Sequence, residues 1–129
     1  MNRRNTAKLL RDFPNLYGGR RRSYMGGMDF GFQCGDGWFN LLYKLSTEIK
    51  GTLMRNPSEK TKDYAIVNVK EKFGELRCHQ VHGTPETSRL ILEAAWRSRA
   101  ICEFCGKPGE LRRGLRAKTL CDLCYQRMR

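Results

Sequence analysis

Cys102-Glu103-Phe104-Cys105 and Cys121-Asp122-Leu123-Cys124 form two Cys-x2-Cys pairs with fifteen residues between them. Within each pair, one turn of chain points both sulfurs at the same ion, and four thiolates complete the tetrahedron that Zn2+ accepts. Four protein sulfurs leave no position for water or substrate, so the expected ion, one Zn2+, is structural and not catalytic. Two other uses of cysteine fit less well. Disulfides belong to secreted chains, and the sequence has no signal-peptide core. A redox Cys-x-x-Cys needs only one pair, normally in a thioredoxin-like setting.

Cys34, Cys78, His79 and His82 do not compose a second metal site. In a continuing strand, residues 78 and 82 lie about 13 Å apart and residue 79 points to the opposite face. Enzyme signatures are also missing. Gly31, Gly35 and Gly37 lack the Gly-Lys-Ser/Thr and the preceding strand of a phosphate-binding loop. The only two histidines, His79 and His82, precede the four-cysteine segment by twenty residues, so no His–carboxylate pair is placed for metal-assisted hydrolysis. The expectation is a protein that is not an enzyme.

The elements that must position the cysteines follow from local signals. In segment 102–129, Gly106 permits a sharp turn, Gly109 and Gly114 suit a short hairpin, and no helix breaker follows Cys121. Knuckle, hairpin and helix in that order resemble a treble-clef zinc finger. A 28-residue segment has too little core to fold alone, so zinc is expected to supply much of its stability.

Segment 37–101 reads as a small α+β core. Asp36 is a candidate N-cap for a helix to about Lys50, with Trp38, Leu41, Leu42, Leu45 and Ile49 on one apolar face and Gly51 as its stop. The polar stretch 52–63 reads as a loop. Strands are expected at Tyr64–Val69 and Leu76–Val81, turning at Lys72-Phe73-Gly74-Glu75; Phe-Gly is not a favoured turn pair, so the register stays open. Thr84 and Pro85 open a second helix whose expected apolar stripe is Ile91, Leu92, Ala95, Trp96 and Ala100. Helix, hairpin and helix would place both helices on one face of the sheet. Segment 1–36 is basic and glycine-rich, with a short helix at Thr6–Asp12 ended by Phe13-Pro14.

The chain of 129 residues carries 25 Lys plus Arg against 13 Asp plus Glu, a formal net charge of +12. Residues 1–22 hold +6, residues 23–101 hold +2 and residues 102–129 hold +4. Basic ends on a nearly balanced middle suit polyanions or acidic protein surfaces. Arg outnumbers Lys by 16 to 9, which favours contacts over mere hydration. No apolar run approaches the roughly 20 residues of a transmembrane helix, so a cytoplasmic protein without a membrane partner is expected.

Four blocks stand out: Phe13-Pro14-Asn15-Leu16-Tyr17; Gly31-Phe32-Gln33-Cys34-Gly35-Asp36-Gly37-Trp38; Val69-Lys70-Glu71-Lys72-Phe73-Gly74-Glu75-Leu76-Arg77; and Cys102-Glu103-Phe104-Cys105-Gly106-Lys107-Pro108-Gly109. Over Phe13 to Cys124 the chain resembles a family of small proteins encoded by tailed bacteriophages and prophages. The Gly-Asp-Gly-Trp and Val-Lys-Glu-Lys-Phe-Gly blocks are the more specific ones, whereas Arg20-Arg21-Arg22 and Cys78-His79 match no family pattern. The resemblance implies a phage context and a bacterial host cytoplasm. It implies no activity.

Two functions fit. One is phosphate-dominated, weakly sequence-specific binding of DNA or RNA through Lys107, Arg112, Arg113, Arg116 and Lys118 in the finger hairpin and Arg127 and Arg129 beyond it. Arg20, Arg21 and Arg22, flanked by Tyr17 and Tyr24, would form a second contact. The alternative is an inhibitor or adaptor that docks the same arginines onto an acidic surface of a host protein, such as a nuclease or an anti-phage defence complex.

Overall fold

The computed structural model describes residues 1–17 and 31–128. Helices and strands mix along the chain, so the fold class is α+β. Helix α1 (Arg3–Asp12) leads through Phe13 into a single turn, α2 (Pro14–Tyr17). Strand β1 (Phe32–Gln33) precedes a 3-10 turn (Asp36–Trp38) that runs into the long helix α3 (Phe39–Arg55). The hairpin β2 (Ala65–Lys72) and β3 (Glu75–Val81) comes next, followed by α4 (Pro85–Ser98). The cysteine segment contributes the hairpin β4 (Glu110–Arg112) and β5 (Lys118–Leu120), and then α5 (Asp122–Met128).

The main sheet has order β1-β2-β3. A strand at 32–33 was not expected; it lies parallel to β2 with Phe32 opposite Val69 and Gln33 opposite Lys70. Two residues between glycine-rich flanks give no period to detect, and only the pairing partner defines the strand. The β2–β3 hairpin turns on Phe73 and Gly74 alone, at φ +53° and +80°. Both residues occupy the left-handed region, the geometry of a two-residue turn matched to strand twist. Gly74 adopts it freely; Phe73 does not.

Trp38, Leu41, Leu42, Leu45 and Ile49 are all buried, as their helical spacing requires. Leu9, Phe13, Leu16 and Tyr17 of the first two helices enter the same core cluster. The Tyr17 hydroxyl sits 2.6 Å from Ser46 Oγ, which itself donates to the Leu42 carbonyl at 2.7 Å, so Tyr17 is the donor of that buried pair.

Three local expectations are corrected. Asp36 does not cap its own helix. Its Oδ1 accepts the Asn2 N–H at 2.8 Å and the Asn5 amide at 3.1 Å, tying down the start of α1 instead. Gly51 does not stop α3, which continues to Arg55 because Thr52 is buried in the last turn and bonds Glu86 of α4 at 3.3 Å. The buried face of α4 is Thr87, Leu90, Ala94 and Ser98, while Leu92 and Trp96 face solvent. Small and hydroxyl side chains let α4 approach β3 closely, and the Ser98 hydroxyl accepts the Leu76 N–H at 2.9 Å. Thr84 and Thr87 cap α4 reciprocally, with Pro85 just inside. No helix among the described residues is long and apolar enough to cross a membrane.

Candidate metal centre and its basic surroundings

Cys102, Cys105, Cys121 and Cys124 place their four sulfurs within 4.8 Å of one another. Cys105 and Cys121 Sγ are 3.7 Å apart. Tetrahedral zinc with bonds of about 2.3 Å has sulfur–sulfur edges of about 3.8 Å, whereas a disulfide needs about 2.05 Å. The four cysteines could therefore hold one metal ion, and no disulfide joins them. They are the only such cluster among the described residues: Cys34, Cys78, His79 and His82 do not gather.

Backbone groups prepare the sulfurs. The Cys102 N–H donates to the Lys107 carbonyl at 2.7 Å and the Gly106 N–H returns to the Cys102 carbonyl at 2.9 Å, closing the first turn. Gly106, at φ +83°, takes the left-handed step. Burial works against the Cys102 thiolate, but N–H groups of Cys121, Cys105 and Phe104 outweigh it and hold that thiol down at about 7. The Cys124 N–H likewise lowers Cys121, which it meets at 3.4 Å. Burial and the three neighbouring thiols push Cys124 up to about 12. Four clustered thiols without a counter-charge resist losing four protons; a divalent cation bound there would supply that charge.

The metal segment is docked on the core by groups from two sequence blocks. The Gly37 N–H donates to the Glu103 carbonyl at 2.7 Å, the Gly35 N–H to Glu103 Oε2 at 3.0 Å and Trp38 Nε1 to the Ile101 carbonyl at 2.8 Å. A Cβ on Gly35 would strike the Glu103 carbonyl, and one on Gly37 the carbonyls of Cys102 and Glu103. These two glycines serve close approach of backbones, not phosphate binding. On the other side, the Thr119 hydroxyl donates to the Gly74 carbonyl at 2.6 Å.

Lys118 lies between these contacts. Its Nζ is 3.1 Å from Glu103 Oε1 and 3.3 Å from Glu71 Oε1. The Glu103 side chain is 3% exposed and that of Lys118 18%. Burial alone would lower the lysine, but Glu103 and then Glu71 raise it above its ordinary value. Glu71 Oε2 also accepts the Gly74 N–H at 2.7 Å. Glu71 sits in the charged stretch Lys70-Glu71-Lys72, where nothing in the sequence separates it from a solvated carboxylate; Glu103, flanked by Cys102 and Phe104, is the buried one.

The basic residues named from the sequence divide accordingly. Lys118 is a half-buried cation held between two carboxylates, not a free surface contact. Arg112 is also spent internally: it bonds Asp122 at 2.6 Å, Glu110 at 3.2 Å and the Leu120 carbonyl, with its guanidinium 4.7 Å from the Tyr125 ring centroid. It clasps the β4–β5 hairpin to α5. Lys107, Arg113, Arg116 and Arg127 are exposed and meet no acidic partner among the described residues. Arg20, Arg21 and Arg22, with Tyr24 and Arg129, lie outside the described residues, and Tyr17 is buried in the core. Leu115, between Arg113 and Arg116, is fully exposed.

Comparison of the chain with protein-family models, with curated proteins and with solved structures finds no match in any of the three.

Proposed function

We propose that this is a non-catalytic phage or prophage accessory protein that binds nucleic acid in the cytoplasm of its bacterial host. Its core is a helix–hairpin–helix unit, and its C-terminal segment is a treble-clef-like finger in which Cys102, Cys105, Cys121 and Cys124 hold one structural Zn2+. The observation that carries the reading is Lys107, Arg113, Arg116 and Arg127, four exposed cations without acidic partners on one metal-held segment. Unpaired cations on a small rigid frame attract phosphates without reading bases. With four thiolates around the ion, the zinc has no open position and contributes structure alone.

The test is fluorescence anisotropy of the zinc-loaded protein, one zinc per chain by native mass spectrometry, with short DNA and RNA over a range of salt. Four phosphate contacts give a log–log salt slope of roughly −3 to −4. Replacing Arg113 and Arg116 by alanine should shallow that slope by nearly half, uniformly across sequences. Absence of binding near physiological salt, or indifference to those two substitutions, refutes the reading. In that event the alternative gains: Leu115, an apolar tip between Arg113 and Arg116, suits an anchor on an acidic surface of a host protein.

A further inference from the structure

We infer that the nucleic acid is single-stranded, with unpaired bases stacking on Phe73 and Trp96; this rests on the nucleic-acid reading above. Phe73 occupies a left-handed turn position at φ +53° where asparagine or glycine is at ease, and its side chain is 73% exposed. Neither turn geometry nor core packing accounts for a phenylalanine there. Trp96, on the outer face of α4, is 70% exposed.

Each ring has a cation beside it. Lys72 Nζ lies 5.8 Å from the Phe73 ring centroid, and the Arg99 guanidinium 4.9 Å from that of Trp96. Arg99 also reaches the hollow under Phe73, a cavity of about 240 Å3 lined by Lys72, Phe73, Arg77, Arg99 and Leu111, with Glu75 as its one acid. Glu75 pairs with Arg77 at 3.3 Å and with Arg99 at 3.9 Å, leaving the hollow a net positive charge. Two aromatic faces joined by a cationic hollow match alternating bases and phosphates. Duplex bases keep their faces stacked on each other and cannot use such rings.

The two platforms are fixed relative to one another. Thr119 and Glu71 hold Gly74 beside Phe73, and Ser98 holds the end of α4 against Leu76. The metal segment thus supports the Phe73 tip without supplying either ring.

Intrinsic fluorescence tests the inference directly. The chain has two tryptophans, and Trp38 is fully buried, so a change in emission on adding an oligonucleotide reports Trp96. A 12-nucleotide single strand should quench it and bind about a hundredfold more tightly, about tenfold for each stacked base, than the same strand without bases or than its duplex. Phe73→Ala and Trp96→Ala should each weaken the single strand by about tenfold and leave the baseless strand unchanged, while Trp96→Phe retains affinity. Trp38 emission checks that each variant folds. A preference for RNA or DNA supports the inference and assigns the sugar. Equal binding of the baseless strand, or preference for duplex, overturns the stacking and leaves phosphate binding intact. Failure of every strand to bind overturns both.

Discussion

Replacing Lys118 by methionine separates a structural cation from a phosphate contact. Methionine keeps much of the length and removes the charge, leaving the carboxylates of Glu103 and Glu71 facing each other without the ammonium that lies 3.1 and 3.3 Å from them. Removing one partner of a buried ion pair costs about 3–5 kcal/mol. Glu103 is only 3% exposed, but Lys118 and Glu71 are each 18% exposed, so some solvent screening reduces the loss to about 2–4 kcal/mol. That is a large share of a domain stability of about 5–15 kcal/mol, and lowers Tm by roughly 8–15 °C. Urea unfolding of the zinc-loaded protein, followed by Trp38 emission, measures it. Arg113→Met, at an exposed position, should stay within about 0.5 kcal/mol of the parent. Adding Glu71→Gln to Lys118→Met should recover part of the loss, because one of the two opposed charges is gone. The pH dependence has a definite sign. A lysine raised by its partners contributes fully below its unfolded value of about 10.4 and loses that contribution only as pH climbs through the folded value. The gap between parent and variant should therefore be flat through neutral pH and close above about pH 10. A Lys118→Met variant as stable as Arg113→Met, yet weakened in nucleic-acid binding, would refute the assignment of Lys118 to the Glu103–Glu71 pair.

Two further outcomes follow from single contacts. Gly37→Ala forces a Cβ against the carbonyls of Cys102 and Glu103 and should cost at least about 2 kcal/mol and loosen zinc in a chelator competition; Gly51→Ala, which meets only the far end of Arg55, should stabilise α3 by about 0.5–1 kcal/mol. Asp12 is held down at about 2 by the Tyr43 hydroxyl, 2.7 Å away, and by Lys8. Its contribution is present above the ordinary carboxylate range and lost as pH falls toward 2, so the stability difference between parent and Asp12→Asn should vanish in acid, and Tyr43→Phe should move the Asp12 titration upward by NMR.

The four-cysteine cluster was legible because both halves of it are local: two sulfurs per turn, twice. The α3 face was legible because Leu41, Leu42, Leu45 and Ile49 repeat at helical spacing, with Trp38 one turn earlier in the 3-10 turn. The α4 face was not, because hydropathy ranks Leu92 and Trp96 as core, whereas close helix–strand approach selects Ala94, Ser98 and Thr87. Asp36 and Gly51 carried standard cap and stop signals that long-range partners, Asn2 and Glu86, overrode. The same holds for the basic residues. Counting charge could not separate Lys118 and Arg112 from Arg113 and Arg116, since only the fold reveals which cations have already met a carboxylate. The glycine-containing blocks around residues 35–38, 71–75 and 102–106 gain a common meaning in three dimensions. Each supplies a side of the joint between core and metal segment.

That joint imposes an order on biosynthesis. A ribosome releases the chain from the amino end, and domains organise as they emerge. The N–H groups of Gly35 and Gly37, the indole of Trp38 and the Glu71 carboxylate all find their partners in residues 101–118. A nascent chain cut off before Cys102 must leave those groups to water, along with the flank of the core that they border. Synthesis of residues 101–118 is therefore needed before the joint can close, and a metal ion held by the four cysteines would fix that segment in place. If the four cysteines went unfilled, the side of the core bordered by Gly35, Gly37, Trp38 and Glu71 would be left as an open seam, exposed to proteases although every residue of the core had been made.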